Sequence, residues 1–176
     1  LRDAFTVIAH ICDALEEVHK KLTHAVLTPY NIYIDRRGVV RLGNLAFGKL
    51  AADLLFEANE GPYVDSIYVA PEVAEAPELL NSAADIHSLG MIVADMLSPT
   101  GLPADRDEAK VTAASSLASY PPELMGLVMK SIGEDLMARP RSAAEFRATF
   151  LKICQSTGTE LTGAPPPGGL PVEPAV

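Results

Sequence analysis

His24-Ala25-Val26-Leu27-Thr28-Pro29-Tyr30-Asn31, running into Ile32-Tyr33-Ile34, Asp35-Arg36-Arg37-Gly38, Val39-Val40-Arg41-Leu42 and Gly43-Asn44-Leu45-Ala46, is the stretch that decides the fold. Two short runs rich in β-branched residues flank a polar turn that ends in glycine. That pattern predicts a β-hairpin, with Gly38 supplying the positive-φ position such turns need. The hairpin is framed by two loops, one on each side. Working outward, three further landmarks follow: Tyr68-Val69-Ala70-Pro71-Glu72, Asp85-Ile86-His87-Ser88-Leu89-Gly90, and Arg139-Pro140.

In order and rough spacing these landmarks resemble the C-terminal lobe of the eukaryotic-type (Ser/Thr) protein kinases, over roughly residues 3–154. In that family the first loop reads H-R-D-L-K-P-x-N, the second D-F-G, the third landmark A-P-E and the fourth D-x-W-S-x-G. The resemblance implies a mainly α fold, a helical lobe with one short β-hairpin carrying the catalytic-loop and metal-loop positions. It implies that Asp85 bonds the backbone of the first loop, although a plain helix N-cap is an alternative for that residue. It also implies that Glu72 pairs with Arg139, and that His24 and Leu45 belong to the internal packing line of the lobe. Residues 1–155 are expected to form the lobe, without the small N-terminal lobe that a whole kinase domain needs. Residues 156–176, with their Pro- and Gly-rich run, are expected to be a disordered linker or tail joined to neighbouring domains.

The substitutions fall on the chemistry. Val26 stands at the position of the family's catalytic Asp and has no lone pair with which to accept a substrate proton. Loss of such a base costs about 10²–10⁴ in rate. Thr28 replaces the loop Lys that neutralises the transferred phosphoryl group. Asn31 is kept, but Asn44 takes the place of the metal-binding Asp, and Mg²⁺ prefers anionic oxygen ligands. A shifted alignment through Ala46-Phe47-Gly48 lacks the Asp too. Tyr33 falls where the family has the floor of the adenine pocket, and it either narrows that pocket or packs as a strand aromatic. Ala25 replaces the Arg that clamps an activation-segment phosphate, so phosphorylation of Tyr63, Ser66 or Tyr68 is not expected to act by that route. No intact catalytic residue and no metal site are therefore expected, and ATP binding is expected to be weak or lost.

The resemblance and these losses together imply an inactive kinase-like domain that serves as a regulatory or protein-binding module in a larger signalling protein. Two rivals stand beside it. One is a divergent Ser/Thr kinase with a substitute base such as Asp35 or Asp65, and the other is a ligand-free structural docking lobe.

Charge narrows the partners. The formal net charge is −9, and no Lys or Arg occurs between Lys49 and Arg106. An acidic chain of this kind repels nucleic acid and anionic membranes and favours basic protein partners, or simply keeps the surface solvated. Cys12 and Cys154 lie in apolar helical patterns and are expected to be buried free thiols in a cytoplasmic protein, with a structural disulfide as the alternative. No apolar run reaches the ~18 residues of a membrane span.

The remaining periodicity is helical. Ile8, Ile11, Cys12, Leu15, Val18 and Leu22 predict an amphipathic helix over 4–22 with Asp3 as N-cap, leaving His10 and His19 on its surface. Residues 84–97 are apolar nearly all round, which predicts a buried helix. Residues 98–120 show no clear pattern. Pro121-Pro122 opens a helix with Leu124, Leu127, Val128 and Ile132 on one face. Ser142-Ala143-Ala144-Glu145 is a capping box that opens a last helix with Phe146, Phe150, Leu151 and Cys154 inward.

Overall fold

The computed structural model describes residues 2–45, 66–75 and 80–158. Helix α1 (Arg2–His19) leads to a short 3-10 turn (Pro29–Asn31) and the hairpin of β1 (Ile32–Ile34) and β2 (Val40–Leu42). Then come α2 (Pro71–Glu75), α3 (Ser82–Leu97), α4 (Arg106–Leu117), α5 (Pro122–Ser131) and α6 (Ala143–Ser156). This is the mainly helical lobe with one short hairpin that the resemblance implies. The loop at Ala46-Phe47-Gly48, Tyr63, Asp65 and the tail 159–176 lie outside the described residues.

Helix α3 is the post of the lobe. It packs against α1, α4 and α5, and Ile86, Leu89, Met91, Ile92 and Val93 are all buried. Only its two ends reach solvent, at Ser82, Ala83, Asp95 and Met96, so its sequence carries little amphipathic signal. Its N-cap is Asn81, whose Oδ1 accepts a bond from Ala83 N at 2.8 Å. Asp85, inside the first turn, is therefore not the cap. Gly90 lets α5 come close, because a Cβ there would lie 2.8 Å from Ser131 Cβ and 2.9 Å from Ile132 Cγ2.

Helix α1 ends at His19, three residues short of Leu22, which is 40% exposed. Its start at Arg2 puts Asp3 within the helix and not at its cap. Its buried stripe of Phe5, Ile8, Ile11, Cys12 and Leu15 packs on α6, where Phe5 meets Phe150 edge-on at 5.4 Å. Cys12 and Cys154 are both buried and unbonded, and burial pushes the Cys12 thiol well above its ordinary range. In α6, Ser142 Oγ accepts from Glu145 N at 3.1 Å, while Glu145 Oε2 reaches back to Arg141 N at 2.8 Å. Phe146, Phe150, Ile153 and Cys154 are buried. Leu151 is only half-buried, because the inward face runs one position further round.

Helix α4 occupies part of the stretch without clear periodicity. Asp105 caps it, accepting from Asp107 N and Glu108 N, and Ala109, Ala113 and Leu117 form its buried side. Two of those three are alanines, so the apolar stripe is faint in the sequence.

His87 stands where the resemblance places an aromatic. It is buried, neither ring nitrogen has a partner within normal hydrogen-bond distance among the described residues, and the Tyr68 backbone faces the ring. Burial first, then the positive charges of Arg139 and Arg106, push its pKa down to about 3.

Two predictions follow from this packing. Gly90→Ala should lower stability by roughly 1–2 kcal/mol in urea unfolding, because the clash exceeds the gain in helix propensity. His87 stays neutral in the folded chain down to about 3, whereas the unfolded chain takes up the proton near 6.5. Stability contributed by the neutral form is thus intact above pH 6.5 and is lost progressively as pH falls toward 3. Between pH 7 and 5 the loss should approach about 2 kcal/mol, and His87→Phe should flatten the pH dependence of the unfolding midpoint across that window.

Candidate functional site

The site is assembled around a buried carboxylate. Asp85 is fully buried; its Oδ2 accepts from His24 N and its Oδ1 from Ala25 N, both at 2.7 Å. His19 Nε2–H donates to the same Oδ2 at 2.9 Å. His19 is thus not the surface residue its place off the apolar stripe suggests: its side chain is 12% exposed and committed to the loop anchor. These bonds hold Ala25 at φ +68, a left-handed conformation that costs a non-glycine residue about 1–2 kcal/mol. The loop turns sharply there and points Val26 inward.

The two loops are stitched together by Asn31 and His24. Asn31 Nδ2 donates to Val26 O at 2.9 Å, and Asn31 O accepts from Gly43 N at 2.9 Å. His24 Nε2–H donates to Gly43 O at 2.9 Å. Asn44 sits at φ +61, a conformation asparagine tolerates better than most residues. From there Asn44 Nδ2 donates to Asn31 Oδ1 at 2.7 Å. The side chains at the two expected metal-ligand positions are therefore bonded to each other.

Val26 is 2% exposed and packs in an apolar cluster with Val69, Ala70, Val73 and Ala84. Thr28 is also buried, its hydroxyl without a described partner. Tyr33 is 54% exposed. Its ring lies against Gly43, where a Cβ would come within 2.7 Å of Tyr33 Cε2. Leu45 is half-buried beside Asn44. Asp35 is spent in the hairpin turn, where its Oδ1 accepts from Arg37 N at 2.8 Å and Val39 N at 3.0 Å. Those backbone bonds, led by the one from Val39, hold its carboxyl below the ordinary range.

Residues 66–75 are tied to the lobe at three points. Arg139, itself 3% exposed, grips Glu72 in a two-pronged pair, with Nη1 to Oε1 at 2.5 Å and Nη2 to Oε2 at 3.3 Å. The same guanidinium donates to Ala83 O and Gly133 O, each at 3.0 Å. Arg106 donates to Val69 O at 2.8 Å and Ser66 O at 3.0 Å. Tyr68 Oη–H donates to Asp95 Oδ2 at 2.8 Å; burial and then this carboxylate push the phenol well above its ordinary range. His19, Arg106 and Asp95 carry no motif signal, because their partners are distant in sequence.

A sequence model of the protein kinase domain matches residues 2–154. The chain belongs to the protein kinase family. Among similar proteins, the serine/threonine-protein kinase PknB of Mycolicibacterium smegmatis is 26% identical over 167 residues, covering 86% of this chain and 26% of that protein. A Wee1-like protein kinase of Oryza sativa is 26% identical over 149 residues, covering 82% of this chain and 28% of that one. The cAMP-dependent protein kinase type 3 of Saccharomyces cerevisiae is 31% identical over 91 residues, or 51% of this chain and 22% of that one. The chain thus spans about a quarter of the length of these kinases, and its fold is that of a kinase C-terminal lobe.

Kinase chemistry implies Mg²⁺ and ATP, and the residues present do not fit the metal. Asn31 and Asn44 are neutral amides, and the Asn31 oxygen is already used by the Asn44 amide. Among the described residues no cluster of three or more His, Cys, Asp or Glu side chains could hold a metal ion.

The Arg139–Glu72 pair gives a direct test. Arg139→Met should lower stability by about 3–5 kcal/mol, because it strands a partly buried carboxylate and two backbone carbonyls. Glu72→Gln should cost less, and the double mutant should fall short of the sum in a urea-unfolding cycle by at least about 1 kcal/mol.

Proposed function

We propose that this chain is the C-terminal lobe of a catalytically inactive kinase-like domain, a pseudokinase, acting as a regulatory or protein-binding module of a larger signalling protein. The observation that carries this reading is the burial of Val26 among Val69, Ala70, Val73 and Ala84. At the position of the family's base the side chain is both chemically inert and turned into an apolar cluster. A carboxylate placed there would be desolvated and would have to displace methyl groups. The amide pair Asn31–Asn44 supports the same reading for the metal, and Thr28 for the lost positive charge.

On this reading nucleotide binding is weak at best, is independent of Mg²⁺, and has no catalytic consequence. Partners are proteins, basic ones being favoured by the net charge of −9, and nucleic acid is not among them. No helix of the described residues is long and apolar enough to cross a membrane. Two unbonded cysteines suit the reducing cytoplasm, which we assign as the setting. The rival, a kinase with a substitute base, draws on the relatives, each of which is named a protein kinase. Asp35, the one described candidate for that base, is held in the hairpin turn.

The test uses a longer protein that includes a small lobe. Val26→Asp should yield no transfer of γ-phosphate from labelled ATP to a general protein substrate, and should lower stability by roughly 2–4 kcal/mol. Phosphotransfer by that variant, or by the unaltered protein, would sink the proposal. Thermal unfolding with ATP should show little shift, equal with and without Mg²⁺. A ligand at about 100 times its dissociation constant would add roughly 2.7 kcal/mol, so a Mg²⁺-dependent shift of that size would move the enzyme reading to the front.

A further inference from the structure

Between helix α4 and the strap 98–103 that precedes it lies an open groove of about 700 Å³. It shares no lining residue with the loops described above. The strap is fixed in place. Leu102 N donates to Asp95 Oδ1 at 2.8 Å, Ser98 Oγ–H to Gly101 O at 3.0 Å, and Ser116 Oγ bonds Ser98 Oγ at 3.1 Å across to α4. Gly101, at φ +74, makes the bend. The groove therefore exists without a ligand, and little ordering would accompany binding.

Its lining combines apolar surface with negative charge. Leu102 and Pro103 stand on the strap, and Val111, 68% exposed, faces them from α4. The charged residues of the lining are Asp107 and Glu108, both exposed. No described residue pairs with either carboxylate. The two cations of α4 are engaged elsewhere, Lys110 with Glu134 at 3.3 Å and Arg106 with the carbonyls of Ser66 and Val69. Carboxylates in the first turn suit the helix dipole, which accounts for Asp107 and Glu108 alone. It does not account for an exposed valine one turn on, lining the same groove.

We propose that this groove docks an extended segment of a partner protein in which a Lys or Arg and an aliphatic side chain stand two residues apart, in either order. This deepens the protein-binding reading above and rests on it. The spacing comes from the helix: Asp107 and Val111 are one turn apart, about 6 Å along the axis. An extended peptide rises about 3.3 Å per residue, so its side chains two apart point the same way at a matching separation of about 6.6 Å. The cation meets the Asp107–Glu108 pair, and the aliphatic group covers Val111 and Leu102.

The test is to pan phage-displayed random 12-residue peptides on the 176-residue chain and titrate the recovered peptides by fluorescence anisotropy. The recovered sequences should share a basic and an aliphatic residue two positions apart, in one common order that reports the direction of the bound segment. Their affinity should fall at least about tenfold for Asp107→Asn/Glu108→Gln and for Val111→Ser, with unfolding midpoints near that of the unaltered chain. It should also weaken as salt rises from about 50 to 300 mM. Recovery of no binders, of binders without the pattern, or of binders indifferent to these variants would overturn the proposal. So would a dimer in sedimentation that Val111→Ser dissolves, which would assign the groove to a second copy of the chain. These readouts are independent of phosphotransfer, so active catalysis would overturn the pseudokinase reading without moving the titration, and failed docking would leave the argument from Val26 standing.

Discussion

A buried carboxylate accepting three hydrogen bonds from one loop and its neighbouring helix end is the constraint on which the site depends. Asp85 is out of contact with water, and burying a charge is costly unless it is fully bonded. His24 N, Ala25 N and the His19 ring supply those bonds. Each donor is in turn fixed by the acceptor. The loop between α1 and the hairpin has no regular structure over most of its length, so its shape is set by this contact and by the left-handed turn at Ala25 that the contact holds. The bonds of Asn31 to Val26 O and Gly43 N, and of His24 to Gly43 O, then carry that geometry across to the second loop.

The lobe keeps the architecture of the family, and its two loops carry different side chains at the positions the family uses for chemistry. Where a base, a lysine and a metal-binding carboxylate are expected of the family, the loops hold a valine in an apolar cluster, a buried threonine and an amide bonded to another amide. Each replacement is compatible with the surrounding packing or hydrogen bonding. Val26 adds buried hydrocarbon beneath residues 69–73, and the Asn31–Asn44 bond closes one loop on the other. These interactions fix the two loops relative to each other and to residues 69–73.

The same economy runs through residues 66–75. Arg139, Arg106 and Asp95 fasten this segment to three different helices' surroundings through a charge pair, backbone carbonyls and a phenol. Two of these anchors lie close to His87, which remains neutral partly because the arginines surround it. The groove beside α4 shares Asp95 with the Tyr68 tie, so the strap and the segment are held by the two oxygens of one carboxylate.

Much of this was legible in the chain itself. Two apolar β-branched runs around a glycine-ended polar turn specified the hairpin, helical spacing with the proline and capping-box starts specified α1, α5 and α6, and the absence of a carboxylate at positions 26 and 44 was plain from residue identity. Helix α4 was less legible because alanines make a weak stripe, and its cap at Asp105 emerged only in the structure. The sequence alone determined which chemical groups are available and which segments are periodic, since both are local properties. Tertiary structure decided that His19 leaves the surface for Asp85, that Val26 is enclosed and that Asn44 spends its amide on Asn31. Those outcomes depend on contacts between residues far apart in the chain, whose energies exist only once the lobe has closed around them.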